Sequence, residues 1–502
     1  MKRRLCAALL AFSSLLVVCN GYAQERLSVF ISDLHLGLGR TADGSWHPYE
    51  DFRWPQALKG FLSAVSKEGN DTVDLIIVGD FLELWQLPDD IHCEGSGAGA
   101  GCSVPELVDL TTRIIKAHDA DLQALKDFSV RGTNRLYLVP GNHDAALLIP
   151  AVRAPLVERL GAQSRRVIFV ESGLWVSEDK RVVAEHGHQI GSDVNAFAEW
   201  PKVTTTGPDG KQLMIRPWGE RFVQQLFNEQ EMNYPIIDNL NPETAGARYR
   251  MSERGLGGTL NDLARFIAFN IFETTPGQKY SALSTNGAQD PTFDRGAAVK
   301  AGYLLFSFSL PDGDSFKELL KDTNPAGAQL RSELNEIVKS LPSEDLEMLC
   351  RNAVVYTHSN PCNPVLSALV VGALVPKTAI FQSHLRAREE AIGPFDLFVY
   401  GHTHRWESRW KVPLSTTHSV TVVNTGAFQR LVDEEAFLEL AAAKAMTPEQ
   451  ALRKLRPEDL KPCYSAVFVR PGTSPSQAEL RLWEMPESGG GRFRAPGVAD
   501  CR

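Results

Sequence analysis

The stretch FVYGHTHRW, residues 398–406, joins an apolar strand to a pair of histidines. Leu397–Tyr400 has the continuous apolar character of a strand that is covered on both faces, and Gly401 ends it. His402 and His404 follow at once. Because residues two apart in an extended chain point to the same side, we expect both imidazoles to face one cleft beyond the strand.

Four other apolar runs end in the same way. They are Leu27–Ile31 before SDLHLG, Leu75–Val78 before GDFLELW, Leu136–Val139 before PGNHD, and Val182–Ala184 before EHGHQ. Helical patterns such as Trp54–Lys67 and Leu107–Phe128 lie between them. Apolar strands that alternate with helices predict an α/β fold in layers, in which binding sites collect beyond the carboxyl ends of the strands.

The polar residues that follow these five runs are of the types that bind metal ions. They are Asp33, His35, Asp80, Asn142, His143, Asp144, His186, His188, His402 and His404. Imidazole nitrogen and carboxylate oxygen suit Zn, Mn and Fe, and one carboxylate can bridge two cations about 3.5–4 Å apart. A single such pair is a weak signal, but five in succession predict a dinuclear metal site.

The ordered set DLH, GD, GNHD, HGH and GHTH resembles the calcineurin-like metallophosphoesterase superfamily over about residues 27–190 and 395–430. The resemblance implies two mixed β-sheets packed as a sandwich and flanked by helices. It also implies two divalent metal ions, which would be Mn, Zn or Fe. The ligands that it implies are Asp33, His35, Asp80 and His404 for one ion, and Asp80, Asn142, His186 and His402 for the other.

The resemblance further implies an activity, the hydrolysis of phosphate mono- or diesters by attack of metal-activated hydroxide on phosphorus. In this interpretation His143 is the acid that protonates the leaving group, and Asp144 orients its ring. The expected partner is a small phosphoester substrate.

Two other functions stay open. GDFLELW, SDLHLG and VNTGAF are similar to the branch that contains UDP-2,3-diacylglucosamine pyrophosphatases, which favours a pyrophosphate hydrolase acting on nucleotide- or lipid-linked substrates. This chain has HGHQ where those enzymes tend to have HGD. The third hypothesis is a non-catalytic scaffold on the same fold.

Three residues are weaker candidates for contact with substrate. His188 either touches substrate, supports a ligand by a hydrogen bond, or is exposed. Arg405 follows GHTH closely enough to reach a phosphate but is equally well a solvated side chain, and Trp85 belongs either to the core or to the wall of a substrate groove.

Residues 1–23 have the pattern of an export signal. A Lys-Arg-Arg cluster precedes the largely apolar stretch Leu5–Val18, and Ala23 is the expected cleavage point, with a lipoprotein site at Cys19 as a weaker alternative. The apolar stretch is short for an anchor, so we expect no stable membrane span after cleavage and a periplasmic or secreted location. Loss of Lys2, Arg3 and Arg4 takes the formal net charge from −9 to −12, so no nucleic-acid partner is implied.

The remaining cysteines fit an oxidising compartment. Pairing each with its nearest neighbour gives the disulfide bonds 93–102, 350–362 and 463–501, and the alternative is a thiolate metal site.

The chain-wide pattern predicts four segments. They are the signal peptide at 1–23, the first part of a core at 24–200, a mostly helical insertion at 201–390, and the second part of the core at 391–502. The insertion is interpreted as a cap or a separate subdomain. The sequence does not predict the oligomeric state.

Overall fold

The computed structural model describes residues 26–93, 99–161, 165–190, 195–217, 219–220, 223–224, 228–241, 357–358, 373–374, 377–485 and 490–497. Their strands, in chain order, are β1 Leu27–Ile31, β2 Val73–Val78, β3 Ala100–Ser103, β4 Arg135–Val139, β5 Val167–Phe169, β6 Trp175–Val176, β7 Val182–Ala184, β8 Thr204–Thr206, β9 Gln212–Ile215, β10 Leu240–Asn241, β11 Thr357–His358, β12 Ala373–Leu374, β13 Leu397–Tyr400, β14 Glu407–Pro413, β15 Ser419–Asn424, β16 Phe428–Gln429, β17 Val432–Asp433, β18 Cys463–Val469, β19 Glu479–Glu484 and β20 Arg492–Arg494.

Two sheets bring the predicted motif loops together. The larger has the order β20–β19–β18–β1–β2–β4–β5, with β16 also paired to β18, and the second has the order β14–β15–β13–β7–β6. Strands β1, β2, β4 and β5 run parallel, as do β7, β13 and β15 in the second sheet. The loops that follow parallel strands leave at the same edge of a sheet. This topology therefore places the motif loops of each sheet side by side at the carboxyl ends of its strands.

The two sheets pack face to face. Phe30 and Ile76 from the larger sheet lie in one buried cluster with Trp175, Leu397 and Val399 from the second. Burying an apolar side chain of this size contributes about 1.5–3 kcal/mol. The largely apolar character of these strands therefore reflects a sheet that is covered on both faces, and the predicted α/β class is confirmed.

Helices cover the outer faces of both sheets. The described helices are α1 Pro55–Glu68, α2 Val104–Ala117, α3 Asp119–Val130, α4 Pro150–Leu160, α5 Asn228–Asn233, α6 Lys377–Ile392, α7 Glu434–Ala443 and α8 Pro448–Lys454, with short 3-10 turns at Ala145–Leu148, Pro457–Asp459 and Pro475–Gln477. Of these, α7 and α8 pack in a separate cluster with Tyr234 and Ile236. Side chains of α1 to α4 pack on the larger sheet, and Phe381 and Leu385 of α6 pack on the second.

The run Leu107–Phe128, which we predicted to be one helix, is two helices that meet at His118. This residue is 2% exposed, and its ring lies 3.0 Å from Asp121 Oδ2 and 3.2 Å from Glu50 Oε2. Burial lowers the pKa of His118, but Glu50 and Asp121 outweigh burial and raise it to about 10. A buried ion-paired group thus fixes the break, which the apolar pattern alone does not reveal.

His118→Gln is expected to lower the free energy of unfolding by about 2–4 kcal/mol near pH 6, because it leaves buried carboxylates without their cation. The folded-state pKa is raised, so this contribution is complete below the ordinary value of 6.5 and is lost as pH rises through about 10. Thermal unfolding of both proteins across that range measures it. The exposed His92 supplies the control His92→Gln, and a gap that is as large above pH 10 as at pH 6 would contradict the assignment.

The described start of the insertion contains a β-hairpin that the sequence analysis did not predict. Residues 204–206 and 212–215 form the hairpin β8–β9, which pairs with β3 in a three-stranded sheet. The turn between them contains Pro208, Asp209 and Gly210, a turn-forming sequence between two short β-prone stretches. Most of the predicted insertion, and the signal peptide at 1–23, lie outside the described residues.

Disulfide bonding agrees with the predicted pairing where the structure describes it. Cys93 and Cys102 are bonded, as predicted. Cys463 is also in a disulfide bond, whereas Cys350, Cys362 and Cys501 lie outside the described residues. Within the described ranges, no helix combines the length and the apolar character that a membrane crossing needs.

Candidate metal centre

Six of the predicted ligands form two groups of metal-binding side chains. Asp33, His35 and His404 make one group, and Asp80, His186 and His402 make the other, with the potential ligand atoms of each group within 4.8 Å of one another. These residues follow β1, β2, β7 and β13, so both sheets contribute to each group. Side chains positioned to bind a metal ion are therefore present, as the sequence predicts.

Two carboxylates lie at the boundary between the groups. Asp80 Oδ2 is 2.9 Å from His186 Nε2 and 3.7 Å from His35 Nε2. Asp33 Oδ1 is 3.5 Å from His404 Nε2 and 3.9 Å from His186 Nε2. Each carboxylate thus faces imidazoles of both groups, which is the position that a bridging ligand requires.

The backbone at these ligands is left-handed rather than extended. The φ angles are 54° at Asp33, 48° at His35, 47° at Asp80, 70° at His402 and 54° at His404. Left-handed backbone costs a non-glycine residue about 1–2 kcal/mol. The side chains converge as expected, but our reasoning from an extended chain was wrong, and the strain is concentrated at the centre.

The glycines of three motifs allow strands to approach each other closely. A Cβ atom on Gly79 would lie less than 3.0 Å from the ring of His186, and one on Gly141 would lie as close to Asp80 Oδ1. A Cβ atom on Gly401 would meet Asp33 Oδ2 at 2.6 Å. Each glycine therefore makes room for a ligand from a different motif.

Gly141→Ala is expected to weaken metal binding by about 10–100-fold, since the new methyl group displaces Asp80. Metal titration of the chelated protein measures this change. Gly44→Ala is the control, because a Cβ atom at Gly44 has no neighbour within 4 Å and the strain of its left-handed backbone falls in an exposed turn. Equal affinities in the two variants would mean that the Gly141 contact does not hold Asp80 in place.

His143 is held by Glu83, a residue that our sequence reasoning did not identify. Glu83 Oε2 lies 2.6 Å from His143 Nδ1 and 2.8 Å from His35 Nδ1, so it contacts both the predicted acid and a predicted metal ligand. Glu83 Oε1 accepts from the backbone N–H groups of Trp85 and Gln86. Burial raises the pKa of Glu83, but the two imidazoles outweigh burial and lower it to about 2.

Asp144 does not orient the ring of His143, which corrects our prediction. Its Oδ1 accepts from the N–H of Gly141 at 2.6 Å, and its Oδ2 accepts from the N–H groups of Phe81 and Leu82 at 2.9 and 3.4 Å. Asp144 therefore ties the GNHD loop to the GDFLELW loop. Glu83 occupies the position beside His143 that we had assigned to Asp144.

Glu83→Gln is expected to lower kcat by about 10–100-fold, because the amide is neutral and supports both imidazoles less well than a carboxylate. The pH dependence of kcat/KM should change as well, which a purely structural role would not cause. Glu158→Gln, on the exposed face of α4, is the matched control. An unaltered pH profile would mean that Glu83 does not influence the protonation of the groups that carry the reaction.

The GHTH loop is held by the end of β15. Asn424 is fully buried, and its Nδ2 donates to Gly401 O at 3.0 Å and to Thr403 Oγ1 at 2.9 Å. Thr425 Oγ1 donates to Tyr400 O at 3.0 Å. The stretch VNTGAF therefore positions both histidines of the loop, a role that we did not assign to it.

Neighbouring charges shift the pKa values of the residues in the centre. Burial raises the pKa of Asp80, but His186 and His143 outweigh burial and hold it well below its usual range. Burial lowers the pKa of His186, and Asp80 and Asp33 outweigh burial to raise it to about 9. Burial and the neighbouring His35 hold the pKa of His404 well below its usual range. Because cations and protons compete for the same imidazole nitrogens, cation uptake would release protons.

The three weaker candidates lie outside the two groups. His188 is 2% exposed, its ring centroid lies 4.4 Å from that of Trp200, and burial lowers its pKa well below the usual range. Trp85 is 3% exposed and stacks on His143 with 3.9 Å between ring centroids. Burial excludes the exposed alternative for His188 and is consistent with a core position for Trp85, whereas Arg405 is exposed beside the GHTH loop.

The ligand set can also be compared with known proteins. The sequence matches no protein-family model, and no curated protein is significantly similar to it. The functional argument therefore depends on the motifs and on the geometry of the centre.

Proposed function

We propose that the chain is a phosphoesterase that uses two divalent cations to hydrolyse phosphate mono- or diesters, as members of the calcineurin-like metallophosphoesterase superfamily do. The observation that supports it most is the pair of adjoining His/Asp groups with Asp33 and Asp80 between them and His143 beside them. The face-to-face sheets between helical layers are consistent with the sandwich fold of that superfamily.

The donor atoms of the centre fit this assignment. Asp33 Oδ1 and both polar side-chain atoms of Asn142 are buried without a hydrogen-bond partner. The Nε2 atoms of His35 and His404 face each other at 3.1 Å. Once both rings are deprotonated, two imidazoles that turn their Nε2 atoms toward one point are suited to a shared cation, and this mix of nitrogen and oxygen donors suits Zn, Mn or Fe.

In the proposed site, Asp33, His35, Asp80 and His404 would hold one cation, and Asp80, Asn142, His186 and His402 the other. Bound there, the cations would lower the pKa of a shared water and neutralise the charge of the phosphoryl oxygens. Glu83 at Nδ1 fixes the tautomer and orientation of His143, which leaves Nε2 to meet a ligand. We assign His143 the donation of a proton to the departing alcohol oxygen.

Export to the periplasm or outside the cell is part of the proposal. The disulfide bond between Cys93 and Cys102 supports an oxidising compartment, as does the disulfide-bonded state of Cys463.

The test combines metal analysis with a substrate panel. We expect the purified chain to bind divalent cations and, with added Mn or Zn, to hydrolyse p-nitrophenyl phosphate or bis-p-nitrophenyl phosphate. Chelated protein serves as the control. Turnover of pyrophosphates alone would favour the nucleotide- or lipid-linked alternative, and bound cations without any turnover would favour a scaffold.

A further inference from the structure

The two oxygen atoms of Asp33 have different surroundings. Oδ2 accepts a hydrogen bond from the hydroxyl of Ser32 and a second from the backbone N–H of His402 at 3.1 Å. Oδ1 is buried and has no hydrogen-bond partner among the residues that the structure describes. It faces the imidazoles of His404 and His186, whose Nε2 atoms lie 3.5 and 3.9 Å away. The protein therefore holds one oxygen of this carboxylate and leaves the other free to bind a cation.

Ser32 is fixed by contacts with two other motif loops. It is 1% exposed, and its backbone oxygen accepts from the N–H of Phe428 at 2.9 Å. Its Oγ lies 2.6 Å from Thr425 Oγ1 and 2.8 Å from Gly426 O. A Cβ atom on Gly401 would lie less than 3.0 Å from the same Oγ, so the GHTH loop packs directly against the hydroxyl. The VNTGAF and GHTH loops therefore leave this hydroxyl little freedom to turn away from the carboxylate.

The charge of the neighbouring acceptors assigns the proton of the Ser32 hydroxyl. A hydroxyl has one proton to donate, and the oxygens within reach belong to a carboxylate, a hydroxyl and a carbonyl group. Hydrogen bonds to an ionised acceptor are about twice as strong as those between neutral groups, so the proton goes to Asp33 Oδ2. Thr425 Oγ1 supports this direction, because it can share its own proton between Ser32 Oγ at 2.6 Å and Tyr400 O at 3.0 Å.

Asp80 also has one oxygen that the protein holds, but there the donor is the backbone. Its Oδ1 accepts from the N–H of His143 at 2.9 Å, and its Oδ2 lies 2.9 Å from His186 Nε2. At Asp33 one of the two donors is a side chain, which a substitution removes without altering the backbone. A carboxylate binds a cation through one oxygen or through both, so a donor that occupies one oxygen determines which atom meets the cation.

We propose that Ser32 is a positioning residue of the centre, whose hydroxyl occupies Oδ2 of Asp33 and so directs Oδ1 to the cation held with His35 and His404. Thr425 keeps that hydroxyl in place. This inference rests on the proposed two-cation function. It gives the serine of SDLHLG and the threonine of VNTGAF a part in metal binding, although neither is a ligand.

The first test measures cation affinity. The chelated full chain is titrated with Mn or Zn, and Ser32→Ala is expected to bind about 10–100-fold more weakly than the native chain. Ser465→Ala is the matched control. Ser465 is also 1% exposed, but its hydroxyl donates to Ala427 O at 3.3 Å rather than to a ligand. The control should keep the native affinity, although both variants lose one buried hydroxyl.

The second test uses Co²⁺ as the added cation, because the intensity of its visible absorption depends on how many ligand atoms surround it. Without Ser32, Oδ2 of Asp33 keeps only the N–H of His402 and is able to bind the ion as well. We expect the absorption of Co²⁺-loaded Ser32→Ala to differ in intensity from that of the native chain. The Ser465→Ala spectrum should match the native one, since a loss of packing alone lowers thermal stability without changing the ligands.

The outcomes separate this inference from the proposed function. If Ser32→Ala binds cations as tightly as Ser465→Ala, or gives the native Co²⁺ spectrum, the inference is overturned and the phosphoesterase function stands. If Ser32→Ala does not fold, Thr425→Val and Thr425→Ser decide instead. The serine variant keeps the hydroxyl and should keep the native affinity, the valine variant should bind about tenfold more weakly, and equal affinities overturn the inference. A native chain that takes up no cation overturns both the inference and the proposed function.

Discussion

His143→Ala is expected to lower kcat by about a hundred- to ten-thousandfold, the contribution of a positioned general acid, while the bound cations are retained. The reason is that Glu83 holds Nδ1 of His143 and so leaves Nε2 for the departing oxygen. The loss should be smaller for p-nitrophenyl phosphate than for an alkyl phosphate, because p-nitrophenolate leaves readily without a proton. Steady-state kinetics with both substrates measures the difference.

Metal analysis of the same variant decides between two roles for His143. Its ring forms a further possible metal-binding group with His35 and Asp80, and a carboxylate at one ring nitrogen is also common in metal-bound histidines. If His143→Ala loses cations, the residue is a ligand and the acid role fails. His92→Ala, at an exposed histidine, controls for the loss of an imidazole elsewhere.

The strands that precede the ligands could be predicted because buried strands consist mostly of apolar residues. Leu27–Ile31, Val182–Ala184 and Leu397–Tyr400 have the predicted bounds, since a strand between two layers is apolar at nearly every position. The ligands could be predicted for a similar reason. Imidazoles and carboxylates that directly follow buried strands in several motifs indicate metal binding, since few other functions require that pattern.

The support of those ligands could not be predicted in the same way. Glu83 and Asp144 are both acidic residues in motif loops, and which of them contacts His143 depends on the register of two loops in space. A buried acid in the apolar stretch FLELW is the signal that would have pointed to Glu83. Residue order does not reveal the left-handed backbone at Asp33 or His404, because only tertiary contacts hold such a conformation.

The bounds of helices and hairpins were also predictable only where local sequence determines them. The apolar pattern of Leu107–Phe128 continues through His118, so only the buried contact of that histidine with Glu50 explains why α2 ends there. Ion pairs between residues far apart in sequence do not alter the apolar periodicity, so they cannot be predicted from it. The turn sequence between β8 and β9 does indicate a hairpin, and our sequence analysis overlooked it.

Asp80→Ala is expected to abolish binding of both cations and to reduce turnover below detection. Asp80 is the one predicted ligand that belongs to both proposed sets, and its Oδ2 lies between His186 and His35. Its Oδ1 also accepts from the N–H of His143 at 2.9 Å, so the variant loses an anchor of the acid as well. Breaking a buried, charged network of this kind costs about 3–5 kcal/mol, and thermal unfolding with and without added Mn or Zn should detect the loss.

Asn142→Ala is the matched control, because Asn142 is assigned to one cation only. We expect it to retain the cation held by Asp33, His35 and His404, and to lose the other. Metal content would then fall in two distinct steps between the native chain, Asn142→Ala and Asp80→Ala. Native metal content in Asp80→Ala would contradict the role of Asp80 as a ligand shared by both cations. Equal loss of metal in the two variants would mean that neither cation binds without the other, because the variants can differ only if each cation can bind alone.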